Sequence, residues 1–209
     1  MSRDGYELAI KALETLQSIG YERTMLNWVM HSFNADDFSS IIALAERLEV
    51  CAIAVMMFKP DKDHQMPSVP TRNQLLSVSK IIRQYKGRLL IEVEECFSQM
   101  RALVGERFFF NQNVGISRGC GAGRDGMSVA LDGRLTPCRH LYTMCEEYER
   151  LDDYWAQSPI LQRLRTMEDR IEKPCGDCKY KRNCLPCAAV IFDRTADLKM
   201  SDEQCPLGR

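Results

Sequence analysis

Residues 24–58 read TMLNWVMHSFNADDFSSIIALAERLEVCAIAVMMF. The opening of this stretch, apolar and aromatic, predicts a strand over 24–31. Phe38, Ile41, Ile42, Leu44, Ala45 and Leu48 then recur at helical spacing, with Asp36 placed to cap the helix. The unbroken apolar run at 51–58 suits a strand buried on both faces. Strand, helix and buried strand in this order make the repeating unit of a parallel α/β sheet.

Working outward, Tyr6, Leu8, Ala9, Ala12, Leu13, Leu16 and Ile19 mark a helix upstream, ended by Gly20. Downstream, a loop is expected over 59–70. A third helix follows from Thr71 through Leu75, Val78, Ile81, Ile82 and Tyr85, stopped at Gly87, and a further strand is expected over 88–93. A parallel sheet of about three strands is poorly covered and leaves exposed edges. Residues 1–105 therefore read as a piece of a barrel rather than a closed one. From 106 to 209 the periodicity weakens and Gly, Cys and Pro punctuate short elements. Asp132-Gly133, between residues 127–131 and 134–137, signals a hairpin. A single helix is expected over 154–170, with Trp155, Leu161, Leu164 and Met167 on one side.

The composition, 45% apolar and 27% charged over 209 residues, is that of a globular protein. A net charge of -1 gives no electrostatic pointer to nucleic acid or to an anionic membrane. No apolar run reaches bilayer-spanning length. The opening MSRDGYELAI lacks a basic-then-apolar secretory pattern, so a cytoplasmic location is expected.

Ten cysteines are present, and eight of them lie between Cys120 and Cys205, with Cys51 and Cys96 alone in the first half. In a reducing compartment such a group points to metal rather than to disulfides. The Asp132-Gly133 turn would carry Cys138 back toward Cys120, so that both thiolates could meet one centre. In PCGDCKYKRNCLPC, the two-residue gaps Cys175/Cys178 and Cys184/Cys187 let neighbouring thiolates face one centre around a tight turn. Spacing alone leaves zinc and iron–sulfur both open, with His140 or Cys145 as an eighth ligand in the zinc case.

The pattern Cys120-x12-Gly133-x4-Cys138, then Cys175-x2-Cys178-x5-Cys184 and Cys205, resembles the SPASM domain of radical S-adenosylmethionine (SAM) enzymes. The flanking GCGAGRDGMSVALDGRLTPCRHL, YWAQSPILQRLR and CPL fit the same family. The resemblance implies two auxiliary [4Fe–4S] clusters with interleaved ligands. Cys120, Cys138 and Cys187 would serve the first, and Cys175, Cys178, Cys184 and Cys205 the second. Two features depart from the family pattern. Two residues, not three, separate Cys184 from Cys187, and no cysteine closely precedes Cys120. The first cluster is then left with an open iron, for which Cys96, His140 and Cys145 are fallback ligands.

Residues 24–60 resemble the late part of a radical SAM barrel, which places Asn34 at a SAM-binding position. The fold expected from the resemblance is α/β: a partial (β/α) radical SAM-type barrel over 1–105 and a small cysteine-rich α+β SPASM module over 106–209. The CxxxCxxC loop that binds the SAM-cleaving cluster does not occur in this sequence. The chain alone is therefore not expected to cleave SAM, and SAM enters only if a complementary radical SAM half completes it. The function implied is that of the C-terminal part of a maturase modifying a peptide or protein. The alternatives are a non-catalytic electron-transfer or partner subunit, and a zinc-binding structural module.

Overall fold

Trp28, Val55 and Val93 stand in one row across three parallel strands, and Leu26, Ile53 and Ile91 in the next. The strands are β1 (Met25–Met30), β2 (Ala52–Met57) and β3 (Leu90–Val93), in the order β1-β2-β3. The computed structural model describes residues 3–59, 69–105, 108, 119–181, 184–198, 201, 202 and 205–208. Parallel neighbours need a crossover, and helices supply both. These are α2 (Phe38–Arg47) between β1 and β2, and α3 (Arg72–Gln84) between β2 and β3. Phe38 and Ile42 of α2 and Leu75, Val78 and Ile82 of α3 bury against Met30, Ile53 and Val55. Ala52, Ile53, Ala54 and Val55 are all buried, as expected of a central strand. α1 (Arg3–Ser18) precedes the sheet and packs Ile10 and Leu13 on this core, while Leu8 stays exposed.

The other face of the sheet carries Met25, Asn27 and Val29 from β1, opposite Ala52, Ala54 and Met56 of β2. Leu90 and Glu92 of β3 complete it. This face is more open: Met25, Asn27, Val29 and Leu90 are exposed.

Local chemistry explains where the helices begin. Thr71 closes a capping box with Gln74, its hydroxyl accepting from the Gln74 N–H while the Gln74 side chain accepts from the Thr71 N–H. Asp36 does not cap α2. It lies inside a 3₁₀ turn, Ala35–Asp37, and neither Asn34 nor Asp37 makes a side-chain cap. The Asn34 amide is committed elsewhere: it accepts from the His31 N–H at 2.9 Å and donates to the Val29 carbonyl at 2.9 Å.

Beyond β3, α4 (Ser98–Val104) buries Met100 and Val104 in the sheet core. The hairpin expected at Asp132-Gly133 is present as β4 (Ser128–Val129) and β5 (Leu135–Thr136). Its turn has three residues rather than two. Ala130 and Arg134 bond across it, and Gly133 takes the left-handed φ of +85° that such a turn requires. The helix expected over 154–170 is broken. α5 (Leu151–Gln157) stops at Ser158, α6 (Pro159–Arg165) restarts, and a 3₁₀ turn covers Met167–Arg170. Pro159 has no N–H to continue α5, and the residue before a proline favours extended backbone. Ser158, at ψ 120°, caps the new helix by accepting from the Leu161 N–H. The chain then enters α7 (Ala188–Thr195).

The cysteine-rich half has its own apolar cluster around Leu141, Leu164, Met167, Leu185, Val190 and Leu198. Met57 and Cys96, from the carboxyl ends of β2 and β3, pack against that cluster, and Leu207 of the tail joins the sheet core. Among the described residues, no helix is long and apolar enough to cross a membrane. The loop expected over 59–70 falls largely outside the described residues, at 60–68.

Candidate metal centre

At the carboxyl edge of the sheet the chain turns sharply after β3. The Glu94 N–H donates to the Val55 carbonyl and the Phe97 N–H to the Glu94 carbonyl, which fixes Cys96 between them. Lys59, just past β2, pairs with Glu94 at 2.8 Å, its side chain only 7% exposed. Three further cysteines arrive from the other half of the molecule. Cys120 comes from the glycine-rich loop, Cys138 from the end of the hairpin, and Cys187 from the N-cap position of α7. The Cys96 and Cys120 sulfurs are 3.3 Å apart, and Cys96 also bonds Cys187. Cys138 lies within reach of the charges on Cys120 and Cys187.

Electrostatics follow from this crowding. Contacts to Cys120 and Cys187, with burial, push the Cys96 thiol pKa up. As a donor, Cys96 lowers the pKa of both Cys120 and Cys187. Burial pushes the Cys138 thiol up. Burial also works against the Lys59 ammonium, but the Cys96 sulfur and Glu94 outweigh it and raise its pKa.

The second group is formed within the cysteine-rich half. Cys175, Cys178, Cys184 and Cys205 line one pocket, closed by Pro174 and Leu207. Burial raises the thiol pKa of Cys175, Cys184 and Cys205. Thiols gathered in this way resist ionising together unless a cation is inserted among them. The tail segment carrying Cys205 is held by Asp202, which is 2.7 Å from Arg194 of α7 in a pair that is nearly buried.

Backbone N–H groups are aimed at the sulfurs of both groups. Ala122 donates to Cys120, His140 to Cys138 and Tyr180 to Cys178, each at 3.4 Å and each from two residues further along the chain. Ala189 and Leu207 stand in the same relation to Cys187 and Cys205. Asp202 donates to Cys175 at 3.4 Å. Such donors stabilise thiolate and tune metal–thiolate centres.

The seven cysteines expected as ligands thus fall into two groups, and Cys184 and Cys187 go to different ones. Cys96 joins the first group. Its place in sequence gave one signal, since it lies three residues past the end of a parallel strand, and ligands gather at the carboxyl ends of such strands. Lys59 carried no such signal. Of the other fallback residues, Cys145 donates to the Tyr142 carbonyl at 2.8 Å and His140 accepts from Arg139 at 3.1 Å. Cys51 lies at the opposite end of β2, bonded to the Thr24 carbonyl. Among the described residues, no three His, Cys, Asp or Glu side chains are arranged to hold a single metal ion. Groups of four thiols with N–H donors around them have the donor chemistry of iron–sulfur centres.

No protein-family model matches the chain. It is 25% identical over 92 residues to the AdoMet-dependent heme synthase of Methanosarcina barkeri, covering 43% of the chain and 26% of that protein. With the heme synthase of the same name from Nitratidesulfovibrio vulgaris the identity is 26% over 92 residues, covering 43% and 25%. The PqqA peptide cyclase of Methylobacterium sp. aligns over 220 residues at 27% identity, covering 93% of the chain and 51% of the cyclase. The chain spans about half or less of the length of these curated relatives.

Proposed function

We propose, from the premise that the chain is a radical SAM-related protein, that it forms the C-terminal part of a radical SAM/SPASM maturase. In this reading residues 1–105 belong to a partial radical SAM-type barrel and 106–209 to the SPASM module. Cys120, Cys138 and Cys187 hold one auxiliary [4Fe–4S] cluster, and Cys175, Cys178, Cys184 and Cys205 hold the other. The observation that carries the reading is the gathering of cysteines from distant parts of the chain into two thiol groups. The substrate class is a peptide or protein, supported by the similarity to a protein named as a peptide cyclase.

When bound, such clusters supply one-electron acceptors close to a substrate radical. The chain's own residues prepare the place for them. The Lys59–Glu94 pair sets an ammonium beside the sulfurs at the carboxyl edge of the sheet. The backbone N–H donors hold thiolate character in place. Asn34, just past β1, stands at the same edge and is the proposed contact to SAM, its amide braced by bonds to the His31 N–H and the Val29 carbonyl. Cleavage of SAM is assigned to a CxxxCxxC cluster outside this sequence.

The test is anaerobic reconstitution followed by assay of iron, sulfide and zinc with visible spectroscopy. About eight irons and eight sulfides per chain, with broad brown absorbance, are expected. Stoichiometric zinc without sulfide or colour would overturn the reading and leave a zinc module.

A further inference from the structure

We infer that Cys96 is the fourth protein ligand of the first cluster, which closes it with thiolate on every iron. The inference rests on the function proposed above and goes beyond the three ligands assigned there.

A lone half-buried cysteine before a helix is ordinarily a small apolar side chain. Cys96 is placed differently. Its sulfur lies 3.3 Å from that of Cys120, a residue 24 positions away, and it bonds Cys187 as well. It therefore touches two of the three proposed ligands and packs against the same apolar cluster as the third, Cys138. At 3.3 Å the two sulfurs are thiols in contact, well beyond the bond length of about 2.05 Å in a disulfide. The position is also fixed by structure. β3 leads into Cys96, and Phe97 behind it is 2% exposed in the sheet core, so the side chain has little freedom to turn elsewhere. Lys59 stands beside Cys96 and Cys187 and offsets part of the charge that a fourth thiolate brings.

Two consequences follow from a closed cluster. Substrate cannot bond to its iron, so the cluster can act only across a gap. Cys96 also lies in the turn that leaves the sheet while the other three ligands belong to the cysteine-rich half, and the cluster then joins the two.

The test is thiol mapping of the full chain with iodoacetamide, before and after anaerobic loading with iron and sulfide. Loading is expected to lower alkylation of Cys96 about tenfold, in step with Cys120, Cys138 and Cys187, and to leave Cys51 and Cys145 unchanged. Protection of the seven other proposed ligands with Cys96 still reactive overturns this inference alone. Protection of none overturns the cluster reading and this inference with it. The Cys96→Ala variant supplies a second readout. Cyanide is expected to shift the electron paramagnetic resonance of the reduced variant and to leave that of the parent chain unshifted. Identical responses from the two, or a Cys96–Cys120 disulfide in the loaded chain, would overturn it.

Discussion

Ser158 is fully buried and does two jobs with one hydroxyl, accepting from the Leu161 N–H and donating to the Glu146 carboxylate. Ser158→Ala removes a helix cap and leaves a part-buried carboxylate short of a partner. It is expected to cost about 2 kcal/mol in urea unfolding. Gly123 has φ +72°, and an added methyl would sit 3.1 Å from Leu161 and 3.2 Å from Leu164. Gly123→Ala should therefore destabilise by about 1–2 kcal/mol by the same measurement. Glu92 responds to pH. Burial raises its carboxyl pKa above the usual 4.5, so its charged form is disfavoured in the fold. Its contribution is fully present below pH 4.5 and is lost as pH rises through the higher native value. Glu92→Gln is expected to raise the neutral-pH melting temperature, and the gain should vanish in melts run below pH 4.5.

Among the elements, those written in local patterns were legible in the sequence. The apolar run of β2, the helical spacing of α2 and α3, and the hairpin at Asp132-Gly133 depend on neighbours a few residues apart. What escaped depended on competition or distance. Asp36 had the chemistry of a cap, but Asn34 drew the backbone into a 3₁₀ turn ahead of the helix. Pro159 was printed in the sequence, yet the apolar spacing of Leu161 and Leu164 continued across it and concealed the break. The approach of Cys96 to Cys120 has no local signature, because a turn after β3 and a glycine-rich loop must first be folded together. The hold of α7 on the tail was equally invisible. Arg194 and Asp202 are 14% and 5% exposed, so removing either leaves its partner charged and poorly solvated. Asp202→Ala and Arg194→Ala are each expected to cost about 3 kcal/mol, and the double variant much less than their sum. A double-mutant cycle in urea checks both statements.

Among the described residues, α2 and α3 cover one face of the parallel sheet, and the other is more open at its two edge strands while Ala52 and Ala54 of the central strand stay buried. Val29 and Leu90 on that open face are 39% and 52% exposed, and Leu8 and Ile19 near the start of the chain are 67% and 73% exposed. Open strand edges and apolar surface of this kind favour association. Sedimentation of the chain is expected to show self-association that weakens when Val29 and Leu90 are both replaced by Lys. A monomer in both cases would show that this face is inert. The α/β character was legible because it is a sum of local patterns. The meeting of sheet and cysteine-rich half was not, because Met57, Cys96 and Leu207 reach it from three separate parts of the chain. Cys184 and Cys187 belong to different thiol groups and are three peptide steps apart, a reach of about 11 Å at full extension. If both groups hold clusters as proposed, metal captured by one anchors a ligand of the other, and loading is expected as a nearly all-or-none event in which half-filled chains are scarce.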